Sequence, residues 1–566
     1  MNERPEEAEP VNEQQESGGQ VAGTSFPIDR RTFLWGLGAA GGFAALGPVG
    51  RLGKSVAIGK AASLRAAALS GGGIVYAQSE AVENTDIAYD VLVYPSAEEV
   101  TMTTYDRLVT FDSKMNLVPQ LATSWRVAAD KVTWTFDLRK GVKFSDGSDL
   151  NADAVVSNAL RDTNPLNANT EWTSIYSRWR AVGPYTVQLT THSPFSGVLN
   201  YLAKYEGGIV SPQTPKGKVL HPVGCGPYSV STFNPGASTT VQRVSNYWAG
   251  PPALENITFR YVPDGETALS MLEAGEAQVM DNVLPVQAKS IEAGGTIQLL
   301  KALTARSFFI EFNLLRPIFQ DLRVRQALNY AVDTKAIISA IWEDFAEVMK
   351  SPASQTLPGY TPVGEYSYDP AKASALLSAA GWVRGSDGVL AKDGMKLSFN
   401  LTNGEGQFPQ GDLVCQAVQA YLNKIGCQVT IREIPAASFF ASLLVPRDKQ
   451  ELDTVLFGFN PSNGMMAYVI RAMWLSNPTK VAPYSWNVSW YSNSSVDRWL
   501  SQLDEEFEVS AQNALLARIQ KQIWDDAPAI WLYTPYQLSA ASRSVEGVYV
   551  LPIVYTIVRN ARVATA

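Results

Sequence analysis

Between Lys131 and Arg139 apolar and polar positions alternate: Val132, Trp134, Phe136 and Leu138 fall on one face, Thr133, Thr135 and Asp137 on the other. This two-residue period predicts a strand with one side buried. Asp146-Gly147 supplies a turn, and the segment Asn151 to Val155 starts a helix. After Gly71-Gly72-Gly73, the run Ile74 to Ala77 reads as the first strand of the folded body. Farther along, the period becomes helical. Asp264 is placed to cap a helix whose Ala268, Met271 and Leu272 share a face and which ends at Gly275, because a carboxylate accepts from a free N-terminal amide and glycine tolerates the left-handed exit. Val324, Ala327, Leu328, Ala331 and Val332 keep the spacing of a core-facing helix. Asp369-Pro370 is a cap followed by a first-turn proline, with Ala373, Leu376, Leu377 and Ala380 in phase and Gly381 closing the helix. Val414, Ala417, Val418, Tyr421, Leu422 and Ile425 repeat the pattern before Gly426, and Val429 and Ile431 alternate at once.

Helix–glycine–strand units of this kind predict a mixed α/β architecture. The body after residue 70 is too long for one hydrophobic core, so two or more domains are expected. No short-period repeat and no long linker separates them, which makes the domains intertwined. The net charge is −8. Residues 1–70 hold seven acids and seven bases, so the whole excess belongs to residues 71–566. An acidic body argues against nucleic acid or an anionic membrane surface as partner.

The chemistry-bearing residues are sparse. Three cysteines, Cys225, Cys415 and Cys427, form no CxxC pair; buried free thiols are expected rather than a metal or redox site. His192 and His221 are the only histidines, so a zinc site or a Ser-His-Asp triad would have to use one of them. No GxSxG, HExxH or complete GxxxxGK[ST] element occurs; Gly53-Lys54-Ser55 resembles the end of one, but Pro48 stands at the first glycine. This vocabulary favours a binder over an enzyme and implies no cofactor and no metal.

The N-terminus carries an address. Met1 to Gly23 holds six glutamates and no large apolar cluster, a composition that predicts disorder. Arg30-Arg31-Thr32-Phe33-Leu34 then opens onto eighteen uncharged residues, Phe33 to Gly50, six of them glycine. The segment resembles a twin-arginine (Tat) export signal. Eighteen residues so rich in glycine sit at the lower edge of what spans a bilayer. The body is therefore expected in the periplasm or on the outer face of the cytoplasmic membrane, soluble or held by an uncleaved signal. No cysteine precedes Cys225, so no lipoprotein anchor is expected.

Five blocks carry a resemblance to a known family. They are Leu121 to Trp125 with Trp134 to Gly147 and Asn151 to Val155; Val223 to Tyr228 running to Asn246-Tyr247-Trp248 and Phe259 to Asp264; Phe312-Asn313, Pro317, Phe319 and Asp321 to Ala331; Tyr368-Asp369-Pro370 to Ala380-Gly381-Trp382; and Ile523 to Pro528. In this order, over roughly residues 71–566, they resemble the extracytoplasmic solute-binding proteins of peptide/nickel-type ABC transporters, family 5. The resemblance implies a two-lobed periplasmic-binding-protein-like α/β fold with the ligand cleft between the lobes. Implied boundaries are residues 1–25 as an acidic disordered tail, 26–70 as export signal and leader, and 71–306 as lobe I with an extra subdomain over about 95–225. Lobe II follows at 307–530, and 531–566 return to lobe I. It implies a monomer that closes on a small solute and docks on permease subunits, after passage through the Tat machinery. The alternative from another class is a Tat-exported hydrolase on an α/β scaffold.

In the dipeptide-binding relatives an acid holds the peptide amine and an arginine its carboxylate, the charge-assisted contacts a zwitterion demands. The acid's place falls at Ser462, and the arginine's segment becomes Asn403 to Phe408 without an arginine. A free dipeptide is a poor match. Asn403, Gln407, Phe459, Asn460, Ser462 and Asn463 remain, a set suited to a longer peptide held by its backbone or a small oligosaccharide; Tyr89 stands on the lobe I side. The plainer reading of the same residues is that Phe457 and Phe459 are core strand positions and the asparagines turn residues. Trp486 and Trp490 fit core packing better than stacking on a solute.

Overall fold

The structure, a computed structural model, describes residues 72–87, 95–162, 174–215, 219–476 and 486–564. The acidic tail, the twin-arginine segment and Tyr89 lie outside the described residues. Twelve strands form one large sheet: β1 (Ile74–Gln78), β2 (Tyr228–Asn234), β3 (Ser238–Arg243), β4 (Asn256–Tyr261), β5 (Val279–Met280), β6 (Ile297–Leu303), β7 (Ser307–Phe312), β8 (Ala346–Val348), β9 (Ser398–Gly404), β10 (Gln428–Ile434), β11 (Thr454–Phe459) and β12 (Ala529–Ser542). Their order is β10-β9-β11-β7-β12-β5-β1-β4-β3-β2, with β6 and β8 also paired to β12.

The fourteen-residue β12 joins two sets of strands. Its first half pairs with β7, Phe309 opposite Trp531 and Glu311 opposite Ala529. Its second half pairs with β6, from Leu303 opposite Tyr536 to Ile297 opposite Ser542. The change of partner falls at Pro535, which has no N–H to give a ladder and is tolerated where pairing is interrupted; its carbonyl accepts from the Thr304 amide at 3.0 Å. Thr304 to Arg306 link β6 to β7, so the chain crosses between the two strand sets there as well.

The local predictions are borne out. Asp264 accepts from the Thr267 amide at 2.8 Å to start helix α1 (Gly265–Glu273). Asp321 caps α2 (Leu322–Tyr330), whose Val324, Ala327 and Leu328 are buried. Asp369 accepts from the Lys372 amide at 2.8 Å to start α3 (Pro370–Ala379). Gly381 and Gly426 follow their helices with φ of +91° and +99°, backbone that costs little only for glycine. The alternating segment is the strand Thr133–Leu138 of a separate four-stranded antiparallel sheet with Ala122–Val127, Tyr176–Gly183 and Thr186–Thr191. Trp134, Phe136 and Leu138 are buried as expected, and Thr135 on the opposite face is buried too.

All three cysteines are buried free thiols. Burial pushes Cys415 and Cys427 up to about 12, so neither supplies a thiolate at neutral pH. His192 and His221 are exposed, and among the described residues no group of His, Cys, Asp and Glu is arranged to hold a metal ion. Among the described residues no helix is long and apolar enough to cross a membrane.

Candidate functional site

Strands β9 and β11 run parallel, Leu401 opposite Thr454 and Thr402 opposite Val455. Their C-terminal ends therefore lie side by side, bringing the segment Asn403 to Gln407 next to Phe459 to Asn463. Crevices outside the carboxyl ends of parallel strands are where open α/β sheets bind ligands, since the loops there diverge. The antiparallel partner β7 places Ser307 opposite Phe459, so the crossing residues Thr304 to Arg306 border the same edge. The C-terminal tail closes it: the Asn460 amide Nδ2 donates to the Ile553 carbonyl at 3.3 Å, and the Ala305 amide to the Pro552 carbonyl at 2.7 Å.

The individual side chains divide into two groups. Phe457 and Phe459 are buried, as the plainer reading has it: Phe457 against Phe309, Phe408 and Trp486, Phe459 against Tyr468 with ring centroids 5.8 Å apart. Trp486 also packs on Phe440, and Trp490 is buried. Gln407 and Ser462 are partly exposed at the crevice edge. Three asparagines each retain one buried amide atom with no hydrogen-bond partner: Asn403 Oδ1, Asn460 Oδ1 and Asn463 Nδ2. Asn403 donates its other amide atom to Asp412, and Asn463 Oδ1 accepts from the Met465 amide at 3.1 Å. A buried polar atom without a partner costs about 1–3 kcal/mol; Asn403 and Asn463 are fully buried, and Asn460 alone of the three is partly exposed.

Two charged residues here escape a reading by local pattern. Arg306, on the crossing, is partly buried, and its Nε is buried without a partner. Burial lowers its pKa, opposed by the nearby charges of Glu80 and Glu98. Glu80, two residues beyond β1, accepts from the Ser96 amide at 3.5 Å; burial raises its pKa, while that bond and Arg306 pull it down.

The far side meets the two-stranded ribbon of Val109–Phe111 and Leu117–Pro119 and the helix Val198–Ala203. The Asn463 carbonyl accepts from Asn200 Nδ2 at 3.0 Å, and Gly464, with φ of +64°, sits against Met115 and Phe111. At the C-terminal end of helix Ser494–Glu505, the Asp504 and Glu505 carbonyls accept from the Ser196 amide at 2.9 Å and Lys131 Nζ at 3.0 Å. The Phe507 ring lies 6.0 Å from Trp134. Arg471 holds that end in place through both Asp504 oxygens at 2.8 Å.

The mixed α/β fold, with its strand sets joined through β12, matches that of two-lobed solute-binding proteins, as the comparisons show. NikA from Brucella suis, solved with Fe(III)-EDTA, superposes with a TM-score of 0.77 at 22% identity, over 87% of this chain and 100% of its own. The dipeptide-binding protein of Pseudoalteromonas sp. SM9913 with Met-Leu gives 0.72 at 22% identity, over 87% and 100%. Glutathione-binding protein GsiB of Pectobacterium atrosepticum is 31% identical over 465 residues, 81% of this chain and 88% of its own. The model for bacterial extracellular solute-binding proteins, family 5 (middle region), matches residues 116–480. The chain belongs to that family, whose members named here are substrate-binding proteins of ABC importers. The resemblance and the fold class read from the five blocks are thereby borne out.

Proposed function

We propose that the chain captures a peptide-like solute by closure of two lobes and hands it to the permease of an ABC importer outside the cytoplasm. The observation that carries this reading is the unpartnered amide oxygen of the partly exposed Asn460, at the C-terminal end of β11 where it runs parallel to β9. A peptide-like solute is favoured over an oligosaccharide because the relatives at about 30% identity are glutathione-binding proteins. The lobes are residues 71–306 with 531–566, and 307–530; the change of partners along β12 supports a division of that kind. Permease subunits are the partners, and the chain acts as a monomer.

Isothermal titration with glutathione, together with native mass spectrometry of any co-purified solute, tests the reading. A solute that binds the folded form alone should stabilise it by about 2.7 kcal/mol at a hundredfold excess over Kd. Asn460→Ala should weaken binding by about tenfold, about 1.4 kcal/mol, with little change in ligand-free melting. Phe459→Ala instead removes a buried ring and should cost about 3–5 kcal/mol of ligand-free stability. If Asn460→Ala binds as the wild type does, its amide is not in the site.

Export is proposed to follow the Tat route through Arg30 and Arg31. Replacing both by lysine should leave precursor in the cytoplasm, read by fractionation with the Sec route blocked. Unchanged export of that variant would defeat the assignment.

A further inference from the structure

The two proposed lobes also meet along a seam that involves neither β12 nor the crossing at Thr304 to Arg306. One side is the hairpin Ala122–Leu138 of the four-stranded sheet with the segment leading into helix Val198–Ala203; the other is the C-terminal end of helix Ser494–Glu505. The last carbonyls of a helix have no partner within it. Two of them are satisfied here from across the seam, Asp504 by the Ser196 amide at 2.9 Å and Glu505 by Lys131 Nζ at 3.0 Å. An ammonium also suits the negative end of the helix dipole. Lys131 Nζ lies 5.4 Å from the centre of the Phe507 ring, which in turn is 6.0 Å from that of the buried Trp134. Beside these contacts the seam is not filled. A cavity of about 490 Å³ remains between Lys131 on one side and Gln502, Glu505, Leu515 and Arg518 on the other.

Backbone geometry singles out Lys131. Its φ is +58°, in the left-handed region where a hairpin loop takes glycine at least cost. Asp130 makes the turn without it, accepting from the Val132 and Thr133 amides at 3.0 and 2.9 Å. Strain kept where an ammonium reaches a seam speaks for a task of the side chain. The seam is also made to part. Lys131 and Glu505 are exposed, so water can replace either donor on the helix carbonyls, whereas the β12 ladder cannot be broken without unfolding. We propose that Lys131, Trp134 and Ser196 form with Asp504 to Phe507 a clasp that shuts the two lobes over the solute and opens to release it. Arg471 positions one jaw by holding both Asp504 oxygens at 2.8 Å. The clasp stabilises the closed form and not the open one, so it sets how long a bound solute is held. None of its residues belongs to the segments after β9 and β11, which leaves selectivity to those segments.

The clasp rests on the reading of the protein as one that closes its lobes on a solute, but its first test needs no solute. The acceptor of the Ser196 amide lies across the seam, so hydrogen–deuterium exchange at Ser196, read by mass spectrometry on the intact protein, reports opening. In the ligand-free wild type Ser196 should exchange faster than the amides of β7, because opening needs no unfolding. Phe507→Ala and Lys131→Gly should each speed that exchange and leave β7 unchanged. Lys131→Gly should do so with ligand-free melting unchanged or raised, since glycine relieves the left-handed backbone; a merely structural lysine would not divide the two readouts. Isothermal titration with glutathione should show affinity lowered about tenfold in Phe507→Ala and about threefold in Lys131→Gly, the scale of a lost aromatic pair and a lost cation–ring contact. Ser196 exchange as slow as that of β7 in the wild type, unchanged in both variants, or rising together with β7 overturns the clasp. If glutathione does not bind the wild type, the glutathione-type solute is wrong, and the exchange comparison alone decides the clasp.

Discussion

Arg559→Met is expected to destabilise the ligand-free protein by about 3–5 kcal/mol in chemical denaturation, the usual loss when one partner of a buried ion pair is removed. Asp106 is fully buried and accepts from four donors: Gln120 Nε2 at 2.7 Å, Arg559 Nη2 at 2.6 Å, the Tyr247 hydroxyl at 2.9 Å and Trp248 Nε1 at 2.7 Å. Only Arg559 brings a full opposite charge into hydrogen-bonding contact. Burial alone would lower its pKa; Asp106 more than reverses that. Its Nη1 also donates to the Met102 carbonyl at 2.9 Å, so the pair fastens the C-terminal tail to the start of the body. Arg107, pushed down to about 10 by burial and then by Arg559, is close but gives Asp106 no hydrogen bond. A double-mutant cycle with Asp106→Asn should show strong coupling. A loss under about 1 kcal/mol would mean that neighbouring donors suffice without the arginine.

Glu311→Gln is expected to stabilise the protein increasingly as pH rises. Glu311 lies in β7 between Val455 and Ala529, fully buried and with no cationic side chain paired to it among the described residues. Burial pushes its pKa well up, and the Ser489 amide opposes that only in part. A folded pKa above the unfolded value means that the folded state holds a proton the unfolded chain releases. Its contribution is therefore fully present below the unfolded carboxylate pKa and is lost as pH rises towards the folded one. Denaturation of both proteins from pH 5 to 8 should show the gap widening by about 1.4 kcal/mol per pH unit while the folded carboxyl stays neutral. A constant gap would mean that the carboxyl is already ionised in the folded protein.

Much of the fold is legible in the sequence wherever the governing interaction is local. The caps at Asp264 and Asp369 bind amides three residues away, and the glycines at 381 and 426 answer a backbone need at their own position. The sharing of β12 is not legible. Ala529 to Ala541 is buried along almost its whole length, without alternation, so no period reveals that its two halves have different partners. Pro535 marks the changeover but reads, alone, as the end of a strand. The site is half legible. The family resemblance points to the segments after β9 and β11, and those two strands do run side by side in parallel. Arg306 acquires its neighbourhood only from the register of β7 on a strand some 150 residues later.

Because β12 is nearly the last element of the chain, its position has a bearing on biosynthesis. Neither strand set has its joining member until residues 529–542 have been made, and Arg559, which locks the tail to Asp106, arrives later still. Pairings of such long sequence separation form slowly and late. A nascent or truncated chain that stops short of Ala529 leaves the flanks of β7 and β5 unpaired, edges that invite association with other chains. Completion of the polypeptide thus acts as a gate on maturation: the chain assembles its two halves together at the end of synthesis, rather than one after the other.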